Sequence, residues 1–163
     1  PGMMGTLYNS SYQFIQTDEY FMIMIEMVHD TRIIPLFDTP EEARASHRPS
    51  ELQQWLGDSV GWYEGGTLVV ETININPLQM GQSSVPISPH GKIIERFSRY
   101  SENEIIYQFT VDDDRLYSQP WTAELSYYPL EGRIYEYACH EGNYSMPGIL
   151  AGARRAEKEQ ASN

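Results

Sequence analysis

Apolar and polar residues alternate with the two-residue period of β-strands along most of the chain. "YQFIQ", the turn "TDE" and "YFMIMIEMVHD" read as two strands. In the second, Phe21, Ile23, Ile25, Met27 and His29 share one face, and Met22, Met24, Glu26, Val28 and Asp30 share the other. Both faces are largely apolar, which predicts a central strand covered on both sides. The same pleat holds Glu26 and His29 apart, on opposite faces. "TRIIPL" is a third strand, ended by Pro35. "VGWY" and "TLVVETINI" flank the turn "EGG", and "KIIERFSRY" and "EIIYQFTV" flank "SEN" as the clearest hairpin in the chain. "WTAELSYYPL" and "RIYEYACHE" close the series around "EG".

Two stretches break the alternation. "TPEEARASHRPSELQQWLG" carries a threonine cap, a proline and two first-turn glutamates, then a second start that stops at Gly57, which predicts one or two short helices near residues 40–56. "NPLQMGQSSVPISPHG" has loop composition. About eight strands with short reversals and little helix predict a mainly β fold: an antiparallel up-and-down meander forming a closed or half-open barrel, which protects its edges. Residues 1–150 form a single β domain in this reading. Residues 151–163 form a C-terminal tail without apolar periodicity, expected to fray.

Composition narrows the function classes. With 163 residues the chain fits one domain that needs no disulfide or metal to fold. A formal charge of −12 repels a phosphate backbone, so nucleic acid is excluded as the expected partner. The longest apolar run is too short to span a bilayer and is interrupted by Glu26, so membrane insertion is not expected. The chain opens at Pro1, which leads us to expect a further upstream segment. Cys139 is the single cysteine. It is a buried thiol or pairs with a cysteine outside this sequence.

Candidate chemistry gathers near strand ends. Alternation puts Thr122, Glu124, Ser126 and Tyr128 on one face and Trp121, Ala123, Leu125 and Tyr127 on the other; it also turns Cys139 and His140 to opposite sides, which disfavours a Cys-His nucleophilic pair. Glu124, Glu136 and His140, joined by His29, Glu71 or Arg96, form the polar set able to converge, as a carboxylate and imidazole for acid-base work or as an ion-pair network or wet face. His29 and His140 with Glu26, Asp30 or Glu141 offer nitrogen and oxygen donors, but no HExxH, HxH or CxxC spacing occurs, and no metal is assigned. His47 and His90 sit in loop-like sequence and are expected in solvent. The aromatics, among them Tyr12, Phe14, Trp62, Phe97, Tyr107 and Tyr127, either line a cavity or fill the barrel.

The motifs "EMVHDTRIIPL", "GWYEGGTLVVET", "ERFSRY", "PWTAEL" and "IYEYACHEGNYSMPGILAGAR" together resemble the C-terminal half of a family of exported, uncharacterised bacterial proteins. The resemblance covers nearly the whole chain. It implies a secretion signal and a further N-terminal region in the full protein, a periplasmic or extracellular location, and a partner for Cys139 just upstream of Pro1. Relatives more often carry an acidic residue where this chain has Gly66, which loosens any carboxylate role for that turn. The shared segments contain His29, Asp30 and Arg32, and His140, Glu141, Asn143 and Tyr144. The expected candidates are thus His29, Asp30, His140 and Glu141 for catalysis, and Arg32, Glu124, Glu136, Asn143 and Tyr144 for ligand binding.

Three functions follow as expectations. The first is binding of a small apolar or aromatic molecule inside the barrel. The second is a hydrolase or lyase using His29 or His140 with carboxylates, with or without a metal. The third is a structural subunit of an extracellular assembly. The sequence specifies neither a cofactor nor an oligomeric state.

Overall fold

A computed structural model describes residues 10–78, 85–138, 141–142 and 144–161. Eight strands form one sheet in sequence order: β1 (Tyr12–Gln16), β2 (Tyr20–Ile25), β3 (Thr31–Phe37), β4 (Asp58–Glu64), β5 (Thr67–Ile73), β6 (Lys92–Ser101), β7 (Glu104–Asp112) and β8 (Trp121–Tyr127). The fold is mainly β, as the alternation predicts, and the sheet curls into an open half-barrel. Every neighbouring pair is antiparallel except β3 and β4, which run parallel and pair only at Leu36–Gly61 and Phe37–Trp62. The meander therefore contains one crossover. Residues 38–57 carry the chain back before β4 starts, so β4 leaves in the direction of β3.

That crossover holds helix α1 (Pro40–Ala45), the helix expected near residue 40. Thr39 caps it by accepting the Glu42 N–H, Pro40 occupies its first turn, and Glu41 and Glu42 complement the amide ends there. Ala43, fully buried, seats the helix on the convex face of the sheet against Val60, Trp62 and Val69. The larger core lies in the concavity. Phe21, Ile23, Ile34, Leu68, Val70, Phe97, Tyr107 and Phe109 converge there from five strands.

The strand expected through His29 stops at Ile25. Met27–His29 form a single 3-10 turn, with φ of +64° at Val28 and +43° at His29. Two backbone bonds enforce the stop: the Ile25 N–H donates to Asp30 O, and the Glu26 N–H donates to Ser11 O. Left-handed backbone crowds a β-branched side chain, and Val28 is exposed enough that its loss forfeits little burial. Val28→Gly should therefore raise stability by about 1 kcal/mol, checked by a shift of the urea midpoint at unchanged slope.

The strand expected over "RIYEYACHE" is not part of the sheet in its described portion. Residues 133–138 run free of β8, and the Tyr135 N–H instead donates to Glu26 Oε1. Pro129 and the turn at Glu131–Gly132 take the chain off the β8 edge, and the Glu26 carboxylate competes for the backbone donor that a ninth strand would have used. The tail expected to fray is drawn as helix α2 (Ser145–Ala161), with no buried residue. No helix among the described residues is long and apolar enough to cross a membrane.

Candidate functional site

Because β1 and β8 are the two ends of the sheet, the half-barrel has a seam. Among the described residues no strand pairing closes it; rings do. Tyr12 on β1 lies 5.3 Å from Tyr127 on β8, and Phe14 lies 6.0 Å from the same ring, centroid to centroid. Phe14 then touches Phe21 and Phe97, and Phe97 touches Tyr107, so the concavity behind the seam is packed with stacked and edge-on aromatics. Of the two roles open to the aromatics, this group mostly fills the barrel. Trp62 faces the other way, under α1.

Along the seam the rings stop short of the surface and leave a groove of about 370 Å3. Its floor is Tyr12, Phe14 and Tyr127 with Ile105, and its rim includes Arg99 and Glu104. Glu104 accepts from the Ser126 hydroxyl (2.7 Å) and the Tyr128 hydroxyl (3.1 Å), which fixes the β7 side of the rim. One end of the seam is strapped by Glu26, whose two oxygens accept from Ser11 N–H and Tyr135 N–H. Burial pushes the Tyr12 phenol up, and burial together with neighbouring Tyr12 and Glu95 pushes Tyr127 up further. Both phenols stay neutral, so the floor is apolar and uncharged with two hydroxyl groups.

Beneath it lies a polar network inside the core. Arg32 on β3 and Glu95 on β6 are fully buried and bonded through both terminal guanidinium nitrogens. Arg32 Nη2 also donates to Ser59 Oγ and Thr72 Oγ1, each at 3.1 Å, and the Tyr107 hydroxyl donates to Glu95 Oε1 at 2.8 Å. Burial works against the Glu95 carboxylate, but Arg32 and Tyr107 outweigh it and hold its pKa below the ordinary carboxylate range. Burial and the Glu95 charge push Tyr107 well above its ordinary value. The network links the concave faces of five strands.

The residues expected to converge do not meet in one recess among the described residues. His29 is exposed on the 3-10 turn with half-buried Asp30 next to it. Glu124 is on the convex face, where it accepts from Gln108. Glu136, Glu141 and Tyr144 are exposed beyond β8. His140, Asn143 and Cys139 lie outside the described residues. Arg32 is buried as part of the network above. No group of three or more His, Cys, Asp or Glu side chains among the described residues is gathered to hold a metal.

His90 is exposed as expected, but His47 is not. Its ring lies under the crossover, donating from Nδ1 to Asp58 Oδ2 at 2.8 Å with Nε2 3.5 Å from Glu71 Oε1, and both carboxylates are buried beside it. The backbone N–H of Arg48 also donates to Asp58, and Arg44 pairs with Glu71. Loop composition hid this, because the partners come from β4 and β5. No family model, curated protein or solved structure matches the chain.

Proposed function

We propose that the domain binds a small, flat, apolar or aromatic molecule in the groove along the seam. The groove itself carries the reading: about 370 Å3 of space floored by Tyr12, Phe14 and Tyr127, within the size range of small-molecule sites. The rings behind the floor are already locked by one another, so binding orders few side chains and costs little entropy. The neutral phenols and the Arg99–Glu104 rim give a ligand one polar edge to orient by. An exported setting, which the family resemblance implies, belongs to this reading, since a binder outside the cytoplasm meets its ligand directly.

The test uses 2-naphthol as a probe. It should shift the ring resonances of Tyr12 and Tyr127 saturably, and Tyr12→Ala should weaken binding about tenfold through loss of one aromatic contact and its area. Tyr12 is half-buried on an edge strand, so this variant is expected to fold, with circular dichroism as the check. Shifts that never saturate, or equal affinity in folded Tyr12→Ala, would overturn the proposal.

A further inference from the structure

A second recess lies elsewhere in the sheet. Below their two paired residues β3 and β4 part, and the gap between them is a cleft of about 250 Å3. Ile33, Pro35 and Leu56 supply apolar wall, while Arg32, Arg48 and Ser59 supply donors. Gly57 at its margin has φ +79°, and a Cβ there would lie 2.6 Å from Thr72 Cγ2, so the wall is built on a position that favours glycine.

Arg32 makes this cleft chemically distinctive. Its terminal nitrogens are committed to Glu95, Ser59 and Thr72, yet its Nε–H is buried with no acceptor. A buried donor left unmade costs about 1–3 kcal/mol, and an acceptor regains that once the gap between β3 and β4 widens enough to admit it to the covered Nε–H. Asp58 also lines the cleft: its Oδ2 accepts from both His47 and the Arg48 N–H, while its Oδ1 faces the Arg48 side chain. The Arg48 side chain is 60 % exposed and 3.8 Å from Asp58, which leaves it free to turn toward an anion. Arg32 is balanced by Glu95 and Arg48 by Asp58, so the cleft is locally neutral in a chain of net charge −12.

We infer that the β3–β4 cleft binds the carboxylate of a small organic acid, with the acid group accepting from Arg32 Nε–H, Ser59 and Arg48 and its short apolar chain lying against Ile33, Pro35 and Leu56. Ser59 Oγ and Thr72 Oγ1 lie 2.8 Å apart, and with Thr72 donating across that contact the Ser59 proton is left for a ligand; guanidinium and hydroxyl donors lining one cleft suit a planar, charged acceptor. The apolar wall suits an aliphatic body of a few carbons.

The experiment titrates the full chain, isotopically labelled, with butyrate and separately with butyramide. Butyrate should shift the Arg32 Nε–H resonance and the amides of Thr31 and Ser59 saturably, and butyramide should not. Arg48→Gln, which leaves the backbone bond to Asp58 in place, should weaken butyrate binding about threefold to tenfold. Equal responses to the acid and the amide would overturn the inference, as would shifts confined to Tyr12 and Tyr127 or an Arg32 resonance that does not move, the result expected if water alone occupies the cleft. Because the seam groove is probed with 2-naphthol and uncharged contacts, either site can fail while the other stands.

Discussion

Glu95→Ala is expected to remove about 3–5 kcal/mol of folding stability, because it strands the buried Arg32 guanidinium without its counter-charge. Most of that cost belongs to the orphaned charge and not to the strength of the pair. The double variant Arg32→Met with Glu95→Leu should therefore recover most of the loss, since apolar groups of similar volume in a well-packed core replace an ion pair at little cost. Urea denaturation of the two singles and the double, analysed as a cycle, decides it. A double variant as unstable as the singles would mean that Ser59, Thr72 and Tyr107 depend on the pair for their own partners.

The pair also sets a pH dependence. The folded Glu95 pKa lies below that of the unfolded chain, so the unfolded state binds the proton first. Its contribution to stability is complete above the ordinary carboxylate range and disappears as pH falls through the lower, folded pKa. Asp113 behaves alike: burial works against its charge, but bonds from Ser88 and from the amides after it hold its pKa down. Acid sensitivity in the Arg32→Met, Glu95→Leu double variant should be reduced but not abolished, because Asp113 remains.

Alternation made β6, β7 and β8 legible because each keeps one mainly apolar face: Ile93 and Phe97 around the single buried charge of Glu95, then Tyr107, Phe109 and Val111, then Trp121, Ala123, Leu125 and Tyr127. It misled where an alternating segment lacked a partner or a turn intervened. Met27, Val28 and His29 continue the pattern of β2 but are taken into a turn by backbone bonds to Ser11 and Asp30. Tyr135 and Tyr137 alternate as a strand would, yet Tyr135 gives its N–H to Glu26, 109 residues away. The parallel β3–β4 contact was equally hidden, since a crossover and a hairpin excursion have the same composition.

Site residues followed the same division. Arg32 stands on the face that carries Ile34, and Glu95 on the face that carries Ile93 and Phe97. A charge interrupting an apolar face signals a buried partner, but 63 residues separate these two and nothing local joins them. The groove was legible in part: Tyr12, Phe14 and Tyr127 stood among the aromatic candidates, while Ile105, Arg99 and Glu104 gained their roles only when the seam brought β1 to the β6–β7 hairpin.

Trp62→Ala should cost about 3–5 kcal/mol, the range for emptying a fully buried aromatic position. The loss falls on the convex core. Trp62 packs with Ala43, Val60 and Val69, its Nε1–H donates to Glu64 at 3.0 Å, and the Arg44 guanidinium lies 5.0 Å from its ring centre. Ala43 is the buried residue of α1, so this indole is the main surface on which the short helix rests. Without it, hydrogen exchange should accelerate at the amides of Ala43 and Ser46 well before those of β6 and β7. The crossover also supplies Ser46, Arg48, Gln54 and Leu56 to the β3–β4 cleft, whereas the seam groove draws on no residue between Phe14 and Arg99. Under conditions where the variant stays folded, butyrate binding should therefore weaken and 2-naphthol binding should hold. Global unfolding would reduce both together, so the split between the two probes separates a loosened crossover from a collapsed fold.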